Sequence, residues 1–503
     1  MSSIFYINTK KSYNRQKEVT LMSDKIIDKK HPYYEQLRDY WLFWSAAYQG
    51  VDELLKLRNY FNNNRRNMIE NDYYTNTLEL SILQRNRRES LEDYDQRVKT
   101  AYGFDYSKSI VDMFSLYLFE KEPKRSFDAL ANDELLQMFM DDCDLYGTDF
   151  DTWIVERSRT ASIYGTVGIL VDSPSIDIFS RAEQIKNSVY PYVVTYSPEN
   201  VLFWTYDRDT NTKRPYLSNL VLQDGVRRVH WTREKIDVYE QKNEGDEYEI
   251  VESNVNEIGE IPFFWLENGK GKLKDMGVSD LTTVARIDLS IIENLSQVEA
   301  VIKYAAFPLL RLAKESAGMS DEVEVGPSAV IEFDPEGEKP DWLEPQIKSV
   351  IDAMLEWLNR KEEAIYQTAN VGGISTTTST SREMSGEAYK QRFRMLNAKL
   401  ASTAEKIEEA ELKIIYFWLK WQGLEDKYQD VHIEYPRDFN TSELEKDLLN
   451  LMTSKQMIRS ELFKKEVEKL AARTILERAS DETLQSIDEE IDAATTVMTE
   501  TNI

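Results

Sequence analysis

The side chains able to carry acid–base, nucleophilic or metal chemistry are few and scattered. His31, His230 and His432 are the only histidines and lie in three separate regions, so a histidine triad or metal site would draw on one of them. His230 sits in Arg227-Arg228-Val229-His230-Trp231, where a strand residue is its simplest role. The single cysteine, Cys143, excludes an internal disulfide framework and a multi-cysteine zinc site. Within Met138-Phe139-Met140-Asp141-Asp142-Cys143 it reads as a small core residue of a helix. Gly269-Lys270-Gly271-Lys272 lacks the spacing and the hydroxyl of a phosphate cradle, and neither H-E-x-x-H nor G-x-S-x-G occurs. The acid pairs Asp141-Asp142 or Glu362-Glu363 could hold Mg²⁺ through water, as a metal-dependent phosphoesterase would need. Adjacent residues of a helix point to different sides, however, and a solvated face explains both pairs better. The reading is of a non-enzymatic protein without cofactor or metal.

Charge narrows the partners. The 503 residues hold 62 Lys and Arg against 89 Asp and Glu, a net charge of −27. Each neutralised phosphate needs a cation, so this charge argues against a grip on nucleic acid along a broad basic face, though not against lying near DNA without holding it. With 41% hydrophobic and 11% aromatic residues the chain folds, and its length allows two to four domains at roughly 100–200 residues each. Arg85, Arg87 and Arg88 with Arg65-Arg66 form the densest basic cluster, a contact for nucleic acid or an acidic neighbour, or simply a charged helical face. No apolar run approaches the roughly 18 residues that span a bilayer. Lys10, Lys11, Arg15 and Lys17 precede no apolar segment, so a soluble, intracellular origin is expected.

The elements that would position these residues change in kind along the chain. Residues 1–30 are polar and expected to be mobile. From His31 to Pro123 the pattern is helical, with Trp41, Phe43, Trp44, Ala47, Tyr48, Val51, Leu54 and Leu55 on one stripe. A further helix is expected over Asp133–Tyr164. Val167–Val171 and then six segments between Tyr190 and Val251 read as strands of an antiparallel region closing at Ile261–Trp265. Ile287, Ile291, Leu295, Val298, Ile302 and Ala305 predict a long helix from Ser279, stopped by Pro308. A small β insert (Leu309–Leu312, Ala329–Phe333) precedes a second helix, Gln346–Thr368. Seven consecutive hydroxyl residues, Ser375–Ser381, read as a loop. The helix Ser385–Gln422 then carries a heptad seam from Leu396 to Trp421, with Lys399, Glu405, Lys406, Glu408 and Glu409 keeping the other faces polar, fit for a coiled-coil dimer or for packing within the protein or a ring. A strand at Val431–Tyr435 and helices over Ser442–Met452 and Ser460–Ala479 precede an end, Asp481–Ile503, with seven acids and no Lys or Arg.

The order of these features resembles the portal (head–tail connector) proteins of tailed bacteriophages. Its signposts begin with Trp44 and Gly50, Tyr94-Asp95-Gln96-Arg97, and the helix through Ile110-Val111 to Pro123. They continue with Tyr164-Gly165-Thr166-Val167-Gly168-Ile169-Leu170-Val171-Asp172-Ser173-Pro174 and Tyr196-Ser197-Pro198-Glu199-Asn200-Val201-Leu202-Phe203-Trp204. Ile261-Pro262-Phe263, the Asp280–Ala305 helix, Phe307-Pro308-Leu309-Leu310 and Val325-Gly326-Pro327 complete a set spanning residues 40–425.

The resemblance implies an α+β, mainly α fold. Residues 31–278 would be the wing (helical 31–164, β-rich 165–266), 279–305 and 346–370 the two stem helices, and 306–345 a small β clip. Residues 371–384 would be the tunnel loop, 385–440 the long helix returning to the wing, 441–480 the crown helices and 481–503 an acidic tail. The implied assembly is a ring, usually of twelve subunits, at the portal vertex of the virion capsid, built in the host cytoplasm. It would conduct double-stranded DNA during packaging and ejection without sequence-specific binding. The implied partners are further copies of itself, the terminase large subunit, the head–tail adaptor, and the major capsid and scaffolding proteins, with no membrane. Ser375, Thr376, Thr377, Thr378, Ser379, Thr380, Ser381 and Arg382 would face the channel. Glu322, Glu324, Asp334, Glu336, Glu338 and Asp341 would face the motor and adaptor, within a clip segment of ten acids and three basic residues. Another oligomeric virion protein, an adaptor or capsid-associated component, is the alternative.

Overall fold

The computed structural model describes residues 26–68, 80–87, 89–174, 180–243, 245–305, 309–311, 341–343, 348–369, 386–439, 461–475 and 481–500. They fall into two units, Met1–Arg437 and Asp438–Ile503. The fold class is α+β and mainly α, as expected.

In the larger unit, α1 (Pro32–Gln49) and α2 (Val51–Met68) are joined through Gly50, whose φ of 104° makes the sharp turn. The expected stripe is core: Trp41, Phe43, Trp44, Ala47 and Leu54 are buried. Next come α3 (Leu91–Lys99), α4 (Tyr106–Leu118), β1 (Lys124–Ser126), α5 (Glu134–Asp141) and α6 (Phe150–Tyr164). The single helix expected over Asp133–Tyr164 is thus two. Leu145 (φ 63°) and Gly147 (φ 85°) turn the chain between them, and Asp149 restarts it by accepting a hydrogen bond from Thr152 N at 2.9 Å. Cys143 lies in that turn rather than on a helix, fully buried.

The antiparallel region is two sheets, not one. Its elements are β2 (Thr166–Asp172), α7 (Arg181–Asn187), β3 (Tyr192–Tyr196), β4 (Val201–Arg208), β5 (Pro215–Asp224), β6 (Arg227–Trp231), β7 (Lys235–Glu240), β8 (Glu249–Val255) and β9 (Phe263–Glu267). One sheet has the order β3-β2-β9 and the other is the meander β4-β5-β6-β7-β8. Val167–Val171 of β2 is an unbroken apolar run, as suits a central strand buried along that length. Gly168 within it is required: a Cβ there would come 2.7 Å from the Phe263 ring. At the other extreme, edge strand β8 is exposed along nearly its whole length.

Then follow α8 (Leu281–Ala305), β10 (Leu309–Arg311), β11 (Asp341–Leu343), α9 (Lys348–Thr368), α10 (Gly386–Trp421) and β12 (His432–Glu434). β10 pairs antiparallel with β11, and β12 pairs with β1, aligning Lys124 with Glu434. The heptad seam of α10 is buried inside the unit through Leu396, Leu400, Ile407, Ala410 and Ile414, and Phe417 stacks on Phe264 with ring centroids 6.4 Å apart. Packing within the protein, not a coiled-coil dimer, therefore accounts for it. Lys399, assigned by the heptad to a polar face, is instead half-buried against Asp280.

In the smaller unit, α11 (Glu461–Ile475) and α12 (Asp481–Glu500) run antiparallel. Lys469 reaches Asp492 at 2.9 Å and Arg473 reaches Asp488 at 2.7 Å, so part of the acidic end is helical and paired. The helix expected at Ser442–Met452 lies outside the described residues. Among the described residues no helix is long and apolar enough to cross a membrane.

Candidate functional site

Of the candidate site residues, Ser375–Ser381 and Arg382 lie outside the described residues, as do Glu322, Glu324, Asp334, Glu336 and Glu338. Asp341 is described: it opens β11 opposite Arg311 of β10. The site is therefore defined by the elements on either side. α8 enters and α9 leaves the β10–β11 ladder, and the hydroxyl run falls between the end of α9 at Thr368 and the start of α10 at Gly386. What matters physically is how firmly these three helices are rooted.

The root of α8 is docked on the end of α6. Gly165 (φ 85°) ends α6, and a Cβ there would lie 2.8 Å from Gly277 O. Ser279 Oγ donates to Ile163 O at 2.5 Å and accepts from Leu281 N at 3.0 Å, so one hydroxyl closes α6 and opens α8. Asp280 accepts from Ser162 Oγ at 2.6 Å and meets Lys399 of α10 at 2.7 Å. The Lys399 ammonium also lies 3.4 Å from the centre of the Phe114 ring, and burial, opposed by Asp280, pulls its pKa down. One node thereby holds α4, α6, α8 and α10.

Further along α8 a second node replaces a missing cap. Asp105 stands at the N-cap of α4 in a left-handed conformation and makes no side-chain cap bond. Asp288 does so instead, accepting from Ser107 N at 2.8 Å and Ser107 Oγ at 2.6 Å. A carboxylate suits a helix N-terminus, but burial raises its pKa against those two bonds. Arg97, from the Tyr94–Arg97 signpost, is buried and binds Glu89 through Nε at 2.6 Å and Nη2 at 2.9 Å. It also donates to Gln84 O at 3.0 Å and Ser296 Oγ at 3.3 Å. On α9, Lys361 donates to Ser290 Oγ at 2.5 Å, which ties the two helices together.

A third node sits under α10. Fully buried Glu411 accepts from Arg125 Nε and Nη2, each at 2.8 Å, and from the Tyr435 hydroxyl. Arg125 is on β1 and Tyr435 follows β12, so the node clamps the β1–β12 ladder to the long helix. Burial would lower the Arg125 pKa, but the Glu411 bonds hold it above the ordinary value. Sequence reasoning missed this node, since 286 residues separate Arg125 from Glu411 and neither stands in a motif.

The remaining candidates do not converge. His31 caps α1 and stacks on Trp204 at 3.8 Å, His230 is buried beside Asn219 Oδ1 at 3.1 Å, and His432 is exposed on β12. Asp141 ends α5 and Asp142 accepts from Gly147 N at 2.9 Å. Among the described residues no group of three or more His, Cys, Asp or Glu could hold a metal ion. Burial drives the Cys143 thiol pKa well up, far from a reactive thiolate. Arg85 and Arg87 are exposed; Arg88 and the side chains of Arg65 and Arg66 lie outside what is described.

Residues 47–496 match the family model described as phage portal protein, SPP1 Gp6-like. No curated protein matches the chain. Among solved structures, a chain in the virion of the native gene transfer agent particle is similar with 9% identity and a TM-score of 0.43, covering 74% of this chain and 92% of that one. A chain from the neck of the empty gene transfer agent particle is similar with 8% identity and a TM-score of 0.41, covering 77% and 96%. The family match extends over most of the chain, from α1 to α12, and the protein belongs to the SPP1 Gp6-like family of phage portal proteins.

Proposed function

We propose that the protein assembles into a ring, of twelve copies, at one capsid vertex of a virion and conducts double-stranded DNA in packaging and ejection. The observation that carries this reading is the family match over residues 47–496. In it, α8, α9 and the β10–β11 ladder form stem and clip, with Asp341 and its acidic neighbours turned to the terminase and the adaptor. Residues 375–382 face the DNA, and hydroxyls there exchange short hydrogen bonds with phosphates without the salt-dependent hold that several cations would add. The exposed apolar side chains Ile302 of α8 and Leu355 and Trp357 of α9 support assembly, because a neighbouring copy would cover them.

The mass of the purified oligomer tests the ring, read together with images of a central hole. A monomer under all salt and pH conditions, and in infected-cell lysates, would sink it. Deleting Ser375–Ser381 tests the channel assignment: assembly should survive while DNA packaging or retention drops, and normal packaging would refute it.

A further inference from the structure

A cleft of about 710 Å³ separates the two sheets and has no part in the rooting of the stem. Aromatic side chains line it, among them Tyr146, Tyr192, Tyr196 and Trp231, and Tyr146 is 92% exposed. Five acids border it, Asp144, Asp172, Asp224, Glu252 and Glu257, against the single cation Arg157. Thr195 Oγ1, shielded from solvent in the cleft wall, has no hydrogen-bond partner. Aromatic faces beside carboxylates suit a cationic, extended segment, whose ammonium or guanidinium groups gain from both.

We propose that this cleft is the docking groove for the basic N-terminal segment of the same chain, residues 1–25. Charge complementarity is the first argument. The groove carries a net −4, whereas residues 1–17 hold Lys10, Lys11, Arg15 and Lys17 and no acid, in a chain whose total is −27. Ile4-Phe5-Tyr6-Ile7 supplies apolar side chains for the aromatic wall.

Reach is the second argument. The described chain begins at Ile26, pinned to β6 where Arg228 Nη1 donates to Ile27 O at 2.9 Å and meets Asp28 at 3.0 Å. Along β6 the side chains alternate, so Val229 and Trp231, which line the cleft, lie on the face opposite Arg228. Only β7 and β8 separate β6 from the open edge. With strands about 4.8 Å apart and a sheet layer about 10 Å thick, the path around that edge is about 30 Å. The nine residues from Lys17 to Ile26 extend about 30 Å. The groove is within reach of the chain's own basic segment.

Photo-crosslinking in the full-length protein tests this, with p-benzoylphenylalanine placed at exposed position 146. Peptide mapping should find the adduct on residues 1–25, and in a mixture of isotopically light and heavy copies it should join residues of one label. Glu252→Lys with Glu257→Lys, both exposed, should cut the yield about tenfold, as should raising the salt. Adducts on another segment or another copy, no adduct in folded protein, or a yield indifferent to charge reversal and salt would each overturn the proposal. The readout needs no ring and no DNA, so it stands or fails apart from the portal function.

Discussion

Breaking the Arg125–Glu411–Tyr435 node shows what the rooting of α10 is worth. Glu411 is fully buried and satisfied by three donors, while the Arg125 side chain is 12% exposed. Glu411→Leu strands the guanidinium with only Asp151, at 2.6 Å but 67% exposed, as a counter-charge. It also leaves the Tyr435 hydroxyl unpaired. Removing one partner of a buried ion pair costs about 3–5 kcal/mol, and the exposed Asp151 returns little of it. We expect about 4 kcal/mol for Glu411→Leu and a similar loss for Arg125→Met, which strands the carboxylate. The double variant removes both charges and should lose no more than either single one, a coupling of about 4 kcal/mol. All ten tryptophans lie in the larger unit, so urea unfolding followed by tryptophan fluorescence reports on that unit alone. Additive losses would refute the reasoning: Arg125 and Glu411 would then be independent side chains that happen to touch.

Three further perturbations follow from the same geometry. Gly277→Ala drives a Cβ to 2.1 Å from Gly165 O and should cost about 3 kcal/mol in urea unfolding, whereas Gly225→Ala, open to solvent at φ 58°, should cost about 1. Burial raises the Asp172 carboxyl to about 6, so the folded chain binds an extra proton between the unfolded value near ~3.9 and that point. Stability should therefore fall as pH rises through this window, by up to about 3 kcal/mol, and Asp172→Asn should flatten that slope in thermal unfolding measured against pH. Arg97→Lys, which cannot reproduce the bidentate bond to Glu89, should lower Tm and speed hydrogen exchange at residues 80–90.

Much of the helical layout was legible because period and punctuation are local. α8 and α10 lie within one or two residues of the spans predicted from their apolar spacing, and the end of α9 coincides. The strands of the meander were legible for the same reason, since turn-forming clusters separate them. The division into two sheets was not, because which strand pairs with β2 depends on β9, nearly 100 residues later. β1 escaped notice because three residues carry no period, and their partner is β12.

By itself the sequence determined the class of the protein, the order of its elements and its acidity, a net charge of −27. Those properties are sums or short-range patterns, readable residue by residue. Only the tertiary structure decided what the individual charges do. The heptad assigned Lys399 to a polar face, yet it lies over Phe114 and binds Asp280. Asp105 had the position and chemistry of a helix cap, yet Asp288 caps that helix. The physical reason is that a charge is worth little in water and a great deal once buried, and burial is settled by segments hundreds of residues away.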